Sequence, residues 1–590
     1  MKKIISIITI LALLIVACTD RFEKINKNPF SISDEQLGPD YNLGSSFTSL
    51  YRSLMPAGAN YQYAIDWAAD NYVSHTGTPL DEFGGRDMMS YYFIDYWNSY
   101  MWDHFYNNQM SPALINVKTA IAANKPLYQA VAELIMVMAV SNVTTYYGPV
   151  IYSEYGEQKL SFEYDSEEKL YGLLFDKLDE LKGVFTNASA LDAVIWKKFD
   201  PQYAGASTTA DSTGNTKQWA KFVNSYKLRL AMRIVKANPG LAKTKFEEAV
   251  SDKVGLILTF NDNFWFRFTG THALWTMAAS WNDCRMGSAH EEVLVGFEDP
   301  RIHVFWRNVD NQGNPTNAIL SAKFKNNFES FPSNIKDADG NSVPNYVFPK
   351  PAFRYKGIAP GANLDSDKLR DCYSSAGTFH NVLTDGFRKR PILLASEINF
   401  LLAEAAVRGW AVPQSAQFYY EEGIKQSFAE WEVPNAAAAL VIYLNDDINM
   451  PIDYDDPADP KNNVKDSKNS YETRMKNPDA YTIKWKDGID RELQLERIMT
   501  QKWIAGFQNS IEVWSDFRRT DYPKLPYVSM NNSTSEWGSI PEGEFIKRRP
   551  FVESERLSNP GLKEAINKLP SPSLNTMTNR LWIHPDKANF

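Results

Sequence analysis

Residues 107–123 and 127–147 both repeat apolar side chains at helical period, and only Asn124-Lys125-Pro126 stands between them. A proline suits the first turn of a helix, where its missing N–H would have had no partner anyway, so Pro126 marks the start of the second member. More helices follow. One is expected over residues 166–185 and another over 217–237. In the latter Trp219, Phe222, Val223, Tyr226, Leu230 and Ile234 recur at spacings of three and four, an amphipathic stripe. The period returns over residues 392–408, 414–431, 436–444 and 488–508. Residues 399–431 approximate one tetratricopeptide-like unit: Ala403, Ala405 and Ala406 allow close approach, and Tyr419, Gly423 and Ile424 lie opposite. The fold class is therefore mainly α, built from helix pairs, with one irregular insert. Residues 255–390 lose the helical period and gain Gly, Pro, Asn and Asp, the composition of short strands, turns and long loops. An acidic loop at 446–459 and a proline-rich stretch after 520 are also irregular.

The N-terminus decides the compartment. Lys2 and Lys3 precede an apolar run of 14 residues, Ile4 to Ala17, which ends at Cys18. That run has signal-peptide length and is too short to span a bilayer. A small residue before a cysteine at its end resembles a bacterial lipobox, so Cys18 is the expected lipidation site. Several acyl chains on one cysteine anchor stably, whereas a single chain holds marginally. Residues 1–17 are expected to be the signal peptide, 18–40 a lipidated tether, and 41–590 one domain. Loss of Lys2 and Lys3, with no acid lost, takes the formal charge from −9 to −11. Such a chain is a poor partner for nucleic acid. No later apolar run reaches about 18 residues. The most apolar remaining stretch, 134–140, reads as a buried core helix.

Motifs that carry chemistry are missing. His290-Glu291-Glu292-Val293-Leu294 begins like a zinc-protease helix but lacks the second histidine. There is no G-x-S-x-G elbow, no C-x-x-C pair and no phosphate-cradling glycine loop. The seven histidines are scattered. Asp337-Ala338-Asp339-Gly340-Asn341 resembles the start of a calcium loop, but its glycine is misplaced and the closing glutamate is absent. It reads as a turn, and the 446–459 loop as a solvated charge run. Paired carboxylates for glycoside hydrolysis are defined by separation in space, so no pair is singled out. No catalytic residue, metal or cofactor is expected. Cys284 and Cys372 could bridge; spacing leaves that open.

Aromatic residues are abundant, with 16 tryptophans. Those crowding residues 91–105 read as core or helix contacts. The candidates for ligand contact lie in the loop-rich part: Trp275 and Trp281 first, then Trp265, Trp306, Tyr346 and Tyr355. A ring on a loop needs something to cover it, and a sugar face or a peptide would serve. For each ring, burial in a local cluster is the competing reading.

These features converge on a family. The mature start Cys18-Thr19-Asp20-Arg21-Phe22-Glu23-Lys24-Ile25-Asn26-Lys27-Asn28-Pro29 resembles that of SusD/RagB nutrient-binding lipoproteins, in the SusD-like branch. The stretch from Lys221 through Arg229 to Arg233, and that from Ser288 to Arg301, extend the likeness. So do Glu404-Ala405-Ala406-Val407-Arg408 with Tyr419-Tyr420-Glu421-Glu422-Gly423, Gln501-Lys502-Trp503, Arg518-Arg519-Thr520 and Leu581-Trp582-Ile583-His584-Pro585. The resemblance implies a SusD-like fold: tetratricopeptide-like helix pairs in about 41–254 and 391–520, with irregular parts in 255–390 and 521–590 carrying the ligand. It implies a cell-surface, outer-membrane lipoprotein of a Gram-negative bacterium that captures a glycan, or a peptide, for a SusC-type TonB-dependent transporter. The matched motifs are structural, and Arg229, Arg233 and Arg408 read as ion-pair partners between helices.

Overall fold

The computed structural model describes residues 34–78, 88–309, 355–364, 370, 372–457, 474, 476, 481–571 and 574–590, with backbone alone from 34 to 42. Cys18, Tyr346 and the 337–341 turn lie outside the described residues.

Helix α1 spans Asp34–Arg52. Its start falls inside the stretch expected as tether, because Leu43, Phe47 and Leu50 bury in the core and the helix extends back from them. Helix α2 runs over Ala59–Tyr61 and continues in π-helical form over Gln62–Asp70. A longer helical run follows: α3, Asp95–Asp103, a π-helical segment His104–Met110, then α4, Ser111–Ala122. Helix α5, Pro126–Tyr147, opens on its proline as the sequence predicts. It is long and apolar enough to cross a membrane, yet 78 % of that apolar stretch is buried against other helices, which makes it the core helix expected.

Helices α6, Glu167–Thr186, α7, Ala190–Lys197, α8, Gly214–Arg233, and α9, Pro239–Ser251, complete the first block. Ser166 caps α6, its hydroxyl accepting from the Lys169 N–H at 3.3 Å, which fixes the predicted start. The second block holds α10, Ala395–Val407, α11, Ala416–Glu430, α12, Ala436–Leu444, α13, Arg491–Ala505, and α14, Ser510–Thr520. The predicted tetratricopeptide-like unit is the α10–α11 pair. A Cβ on Gly423 would stand 2.7 Å from the Phe400 ring, so the close approach of the two helices needs glycine there.

Between the blocks the chain forms two small antiparallel pairs: β1, Thr76–Gly77, with β3, Arg285–Met286, and β2, Phe264–Phe268, with β4, Arg388–Leu393. Strand β4 takes the start of the segment read as a helix from 392. One hydrophobic cluster reaches from Leu43 to Ile583 and draws side chains from both blocks and the insert.

The blocks are also joined by buried charge. Glu404 accepts from both Arg519 (2.6 and 2.8 Å) and Arg408 (2.7 and 2.9 Å). Arg229 grips Glu397 with two bonds of 2.6 Å, Arg233 pairs with Glu512, and Lys502 pairs with Asp516. Arg229, Arg233, Lys502 and Arg519 belong to the recognisable motifs and each bonds a carboxylate of another helix, whereas Arg408 pairs with Glu404 of its own helix and not between helices as the sequence suggests. Cys284 and Cys372 are buried thiols with no disulfide between them.

Candidate functional site

The loop region carries Trp275 and Trp281 on one short helical excursion, Ala273–Trp275 continuing in π-helical form over Thr276–Trp281. Asn282 ends it in the left-handed region, φ 64°, which turns the chain back sharply. Arg285 holds the turn. Its guanidinium donates to the carbonyls of Ala278 (2.9 Å) and Cys284 (2.8 Å) and to the Asn282 side chain, while the Ser375 hydroxyl donates to Ala278 (2.7 Å). Trp281 stands on this braced turn with 43 % of its surface open. Trp275 is half-buried and stacks on His380, centroids 5.3 Å apart.

The excursion is tied to the start of α2. The Gln62 amide donates to an Asp283 carboxylate oxygen at 2.6 Å. Tyr63, the next residue, turns to the other side of α2 and meets α3. Its ring lies parallel to Trp97 (5.8 Å, 15° between planes) and 4.6 Å from Tyr100. Tyr96 is 64 % exposed and shares a 2.7 Å hydroxyl–hydroxyl bond with Tyr100. That bond pushes the Tyr100 phenol up to about 12, so it keeps its proton. Trp67 and Trp97 form the buried base, 4.5 Å apart. The start of α2 therefore lies between two aromatic groups: Trp281 with Trp275, and Tyr63 with Tyr96 and Tyr100. Sequence reading placed Tyr96 and Tyr100 among core or helix contacts by their crowding and did not single out Tyr63. The signal that separates them is position on α3, since Tyr96 and Tyr100 are spaced by four and share one face.

The other expected contacts are internal. Trp306 is 1 % exposed and its indole N–H donates to His290 Nδ1 at 2.9 Å. Trp265 packs on Trp431 (6.0 Å) with the Lys389 ammonium 4.7 Å from its ring. Tyr355 is buried, its hydroxyl bonded to His303 Nδ1 at 2.7 Å. The insert has to bury its own apolar surface, and these three rings do that, as the competing reading holds.

Two carboxylates of α2 beneath this surface are sealed. Asp66 is wholly buried and its carboxyl is pushed well up by desolvation and then by Asp70; Asp70 is raised by its own burial. Thr76 donates to Asp66 (2.8 Å) and Tyr61 to Asp70 (2.6 Å). A groove of about 390 Å³ lies elsewhere, between Leu114, Tyr155, Phe162 and Glu555, away from both aromatic groups.

Comparison with known proteins fits this architecture. A family model described as SusD-like, "Susd and RagB outer membrane lipoprotein", matches residues 24–341 and 344–584. The chain belongs to the SusD-like family. Among solved structures, a chitin-binding SusD homologue from Flavobacterium johnsoniae is similar to it over 93 % of this chain and 100 % of that one, with 29 % identity and a TM-score of 0.75. A SusD homologue from Bacteroides uniformis matches 92 % of this chain and 100 % of its own, with 26 % identity and a TM-score of 0.71. No curated protein matches the chain. The SusD-like assignment carries an outer-membrane association and a nutrient-binding role with it.

Proposed function

We propose that this SusD-like protein captures a glycan at the cell surface, held there by a lipid on Cys18, and hands it to a SusC-type TonB-dependent transporter. The observation that supports glycan capture is the pair of aromatic groups flanking α2: Trp281, 43 % exposed, and Tyr96, 64 % exposed, both on braced supports. Flat rings with two side-chain torsions give broad apolar contact to a sugar face at small entropic cost. The paired phenols of Tyr96 and Tyr100 supply donors and acceptors for sugar hydroxyls beside that contact. The likeness to a chitin-binding homologue makes chitin oligosaccharides the first probe.

We assign this surface no hydrolytic step: the carboxylate pair of α2, Asp66 and Asp70, is 0 % and 1 % exposed and holds internal hydrogen bonds, so no glycosidic oxygen reaches it. Calorimetric titration of the mature chain with chitin oligosaccharides, other glycans and mixed oligopeptides tests the reading. Glycan binding with unchanged chain length in the recovered sugar is expected. Binding of oligopeptides alone, or shortened sugars, would overturn it.

A further inference from the structure

Three aliphatic side chains stand open at one end of the molecule: Leu191 (69 %), Val194 (45 %) and Ile121 (57 %). Helix α7 has two apolar faces. Ala193 and Trp196 point inward, and Trp196 meets Phe47 of α1 at 5.4 Å and Tyr128 of α5 at 5.0 Å. Leu191, Val194 and half-buried Ile195, spaced by three and four, make the other face. Ile121 belongs to the last turn of α4, and Ala122, Ala123 and Pro126 beyond it are exposed too. The residues that follow open α5, where Tyr128 supports α7. The two apolar patches therefore share one end of the fold, with Lys118 and Lys198 exposed beside them.

The chain also enters the fold at this end. The Ser53 carbonyl accepts from His104 (2.9 Å) and Gln109 (2.8 Å), while Ser46 meets Asn116, so α1 runs antiparallel to the 104–122 segment. Its first turns therefore lead past Asn116 toward Ala122, and Asp34 lies about 18 Å before Ser46 along the helix. Cys18 stands only sixteen residues ahead of Asp34. Tyr96 sits at the opposite end of the continuous helical run from Asp95 to Ala122, about 35 Å from Ile121 along its axis.

We propose that Leu191, Val194 and Ile121 rest in the headgroup–acyl boundary of a lipid surface and set the protein's orientation on it. Residence at the membrane rests on lipidation of Cys18; the contact itself does not. The stretch from Cys18 joins the fold at this end, which keeps this end nearest the lipid. A few aliphatic side chains with flanking lysines give weak interfacial binding, which orients a lipidated protein and does not hold it alone. The orientation would lift the aromatic surface away from the lipid.

The test uses an environment-sensitive fluorophore on Val194→Cys, and on Asn60→Cys as a control near the aromatic surface; the native thiols are buried. The acylated chain and a Cys18→Ala chain are each mixed with phosphatidylethanolamine–phosphatidylglycerol vesicles. A blue shift at position 194 and none at 60 is expected on the acylated chain. For Cys18→Ala, flotation should be weak, and the triple change Ile121→Ser, Leu191→Ser, Val194→Ser should lower the floated fraction about tenfold at unchanged Tm. An acylated chain whose position 194 ignores vesicles overturns the proposal, as do equal shifts at both positions. A shift at 194 without vesicles that grows with protein concentration also overturns it, in favour of a protein partner. Failure of the anchor reading looks different: mass spectrometry finds no acyl group on Cys18 while the 194 probe on the Cys18→Ala chain still responds.

Discussion

Gln62 and Asp283, 221 residues apart, meet through a 2.6 Å amide–carboxylate bond that ties the Trp281 turn to the helix carrying Tyr63. Two stretches remote in sequence thus share one rigid junction, and the aromatic groups on either side keep a fixed separation. Gln62→Leu should loosen the turn. It should cost about 1–3 kcal/mol in urea denaturation, since a partly buried carboxylate loses a partner. Glycan affinity should fall as well. Unchanged affinity would mean that the two aromatic groups act separately.

Glu404 is wholly buried and neutralises Arg519, itself fully buried, as well as Arg408. Glu404→Leu leaves Arg519 with Asp516 alone, at 2.8 Å. A loss of about 3–5 kcal/mol in chemical denaturation is expected, because breaking such a pair strands a charge in the core. Glycan binding by the fraction that stays folded should be unaffected, since this pair joins α10 to α14 and reaches no ligand.

Glu496 on α13 provides a pH test. Burial pushes its carboxyl up from 4.5 to about 7, and Lys524, Arg474 and Arg497 offset only part of that. Below about pH 4.5 the group is neutral in both folded and unfolded chains and has no effect. Between 4.5 and 7 the folded state binds the extra proton, so its contribution to stability falls as pH rises. Above 7 the burial penalty is complete. Glu496→Gln removes it, so the variant should match the parent near pH 4 and exceed it by about 1–3 kcal/mol at pH 8. Melting curves at the two pH values check this.

The helix pairs were legible because period and caps agree: Pro126 opens α5, Ser166 caps α6, and Gly423 lets α11 approach Phe400. Helix α9 went unread because its apolar face is thin, only Ala242, Phe246 and Ala249 being buried. Strand β4 hid at an apparent helix start, since the short apolar run after its three cations, Pro391 to Ala395, does not reveal its period. At the candidate site, composition drew attention to the loop tryptophans, yet it could not separate exposed Trp281 from Trp306, whose indole is taken by His290. That distinction depends on which partners the fold brings in from afar. The Tyr63–Tyr100 contact joins α2 to α3, and no local pattern announces it.

If a SusC-type barrel is the working partner, mild detergent extraction and affinity purification of this chain should recover a β-barrel protein in near-equal amount. The contact should exceed the roughly 1,200–2,000 Å² of a standard interface, because a lid must seal a wide rim. Recovery of this chain alone, with other outer-membrane complexes intact, would count against the delivery step.

Glycan capture by the aromatic surface is tested most directly by titrating Trp281→Ala and Tyr63→Ala beside the parent chain, with melting temperatures measured on the same samples. Loss of either ring should weaken glycan binding by about 1–3 kcal/mol. Trp281→Ala should leave the melting temperature unchanged, since that ring stands largely clear of the core. Full glycan affinity in both variants would contradict capture at this surface.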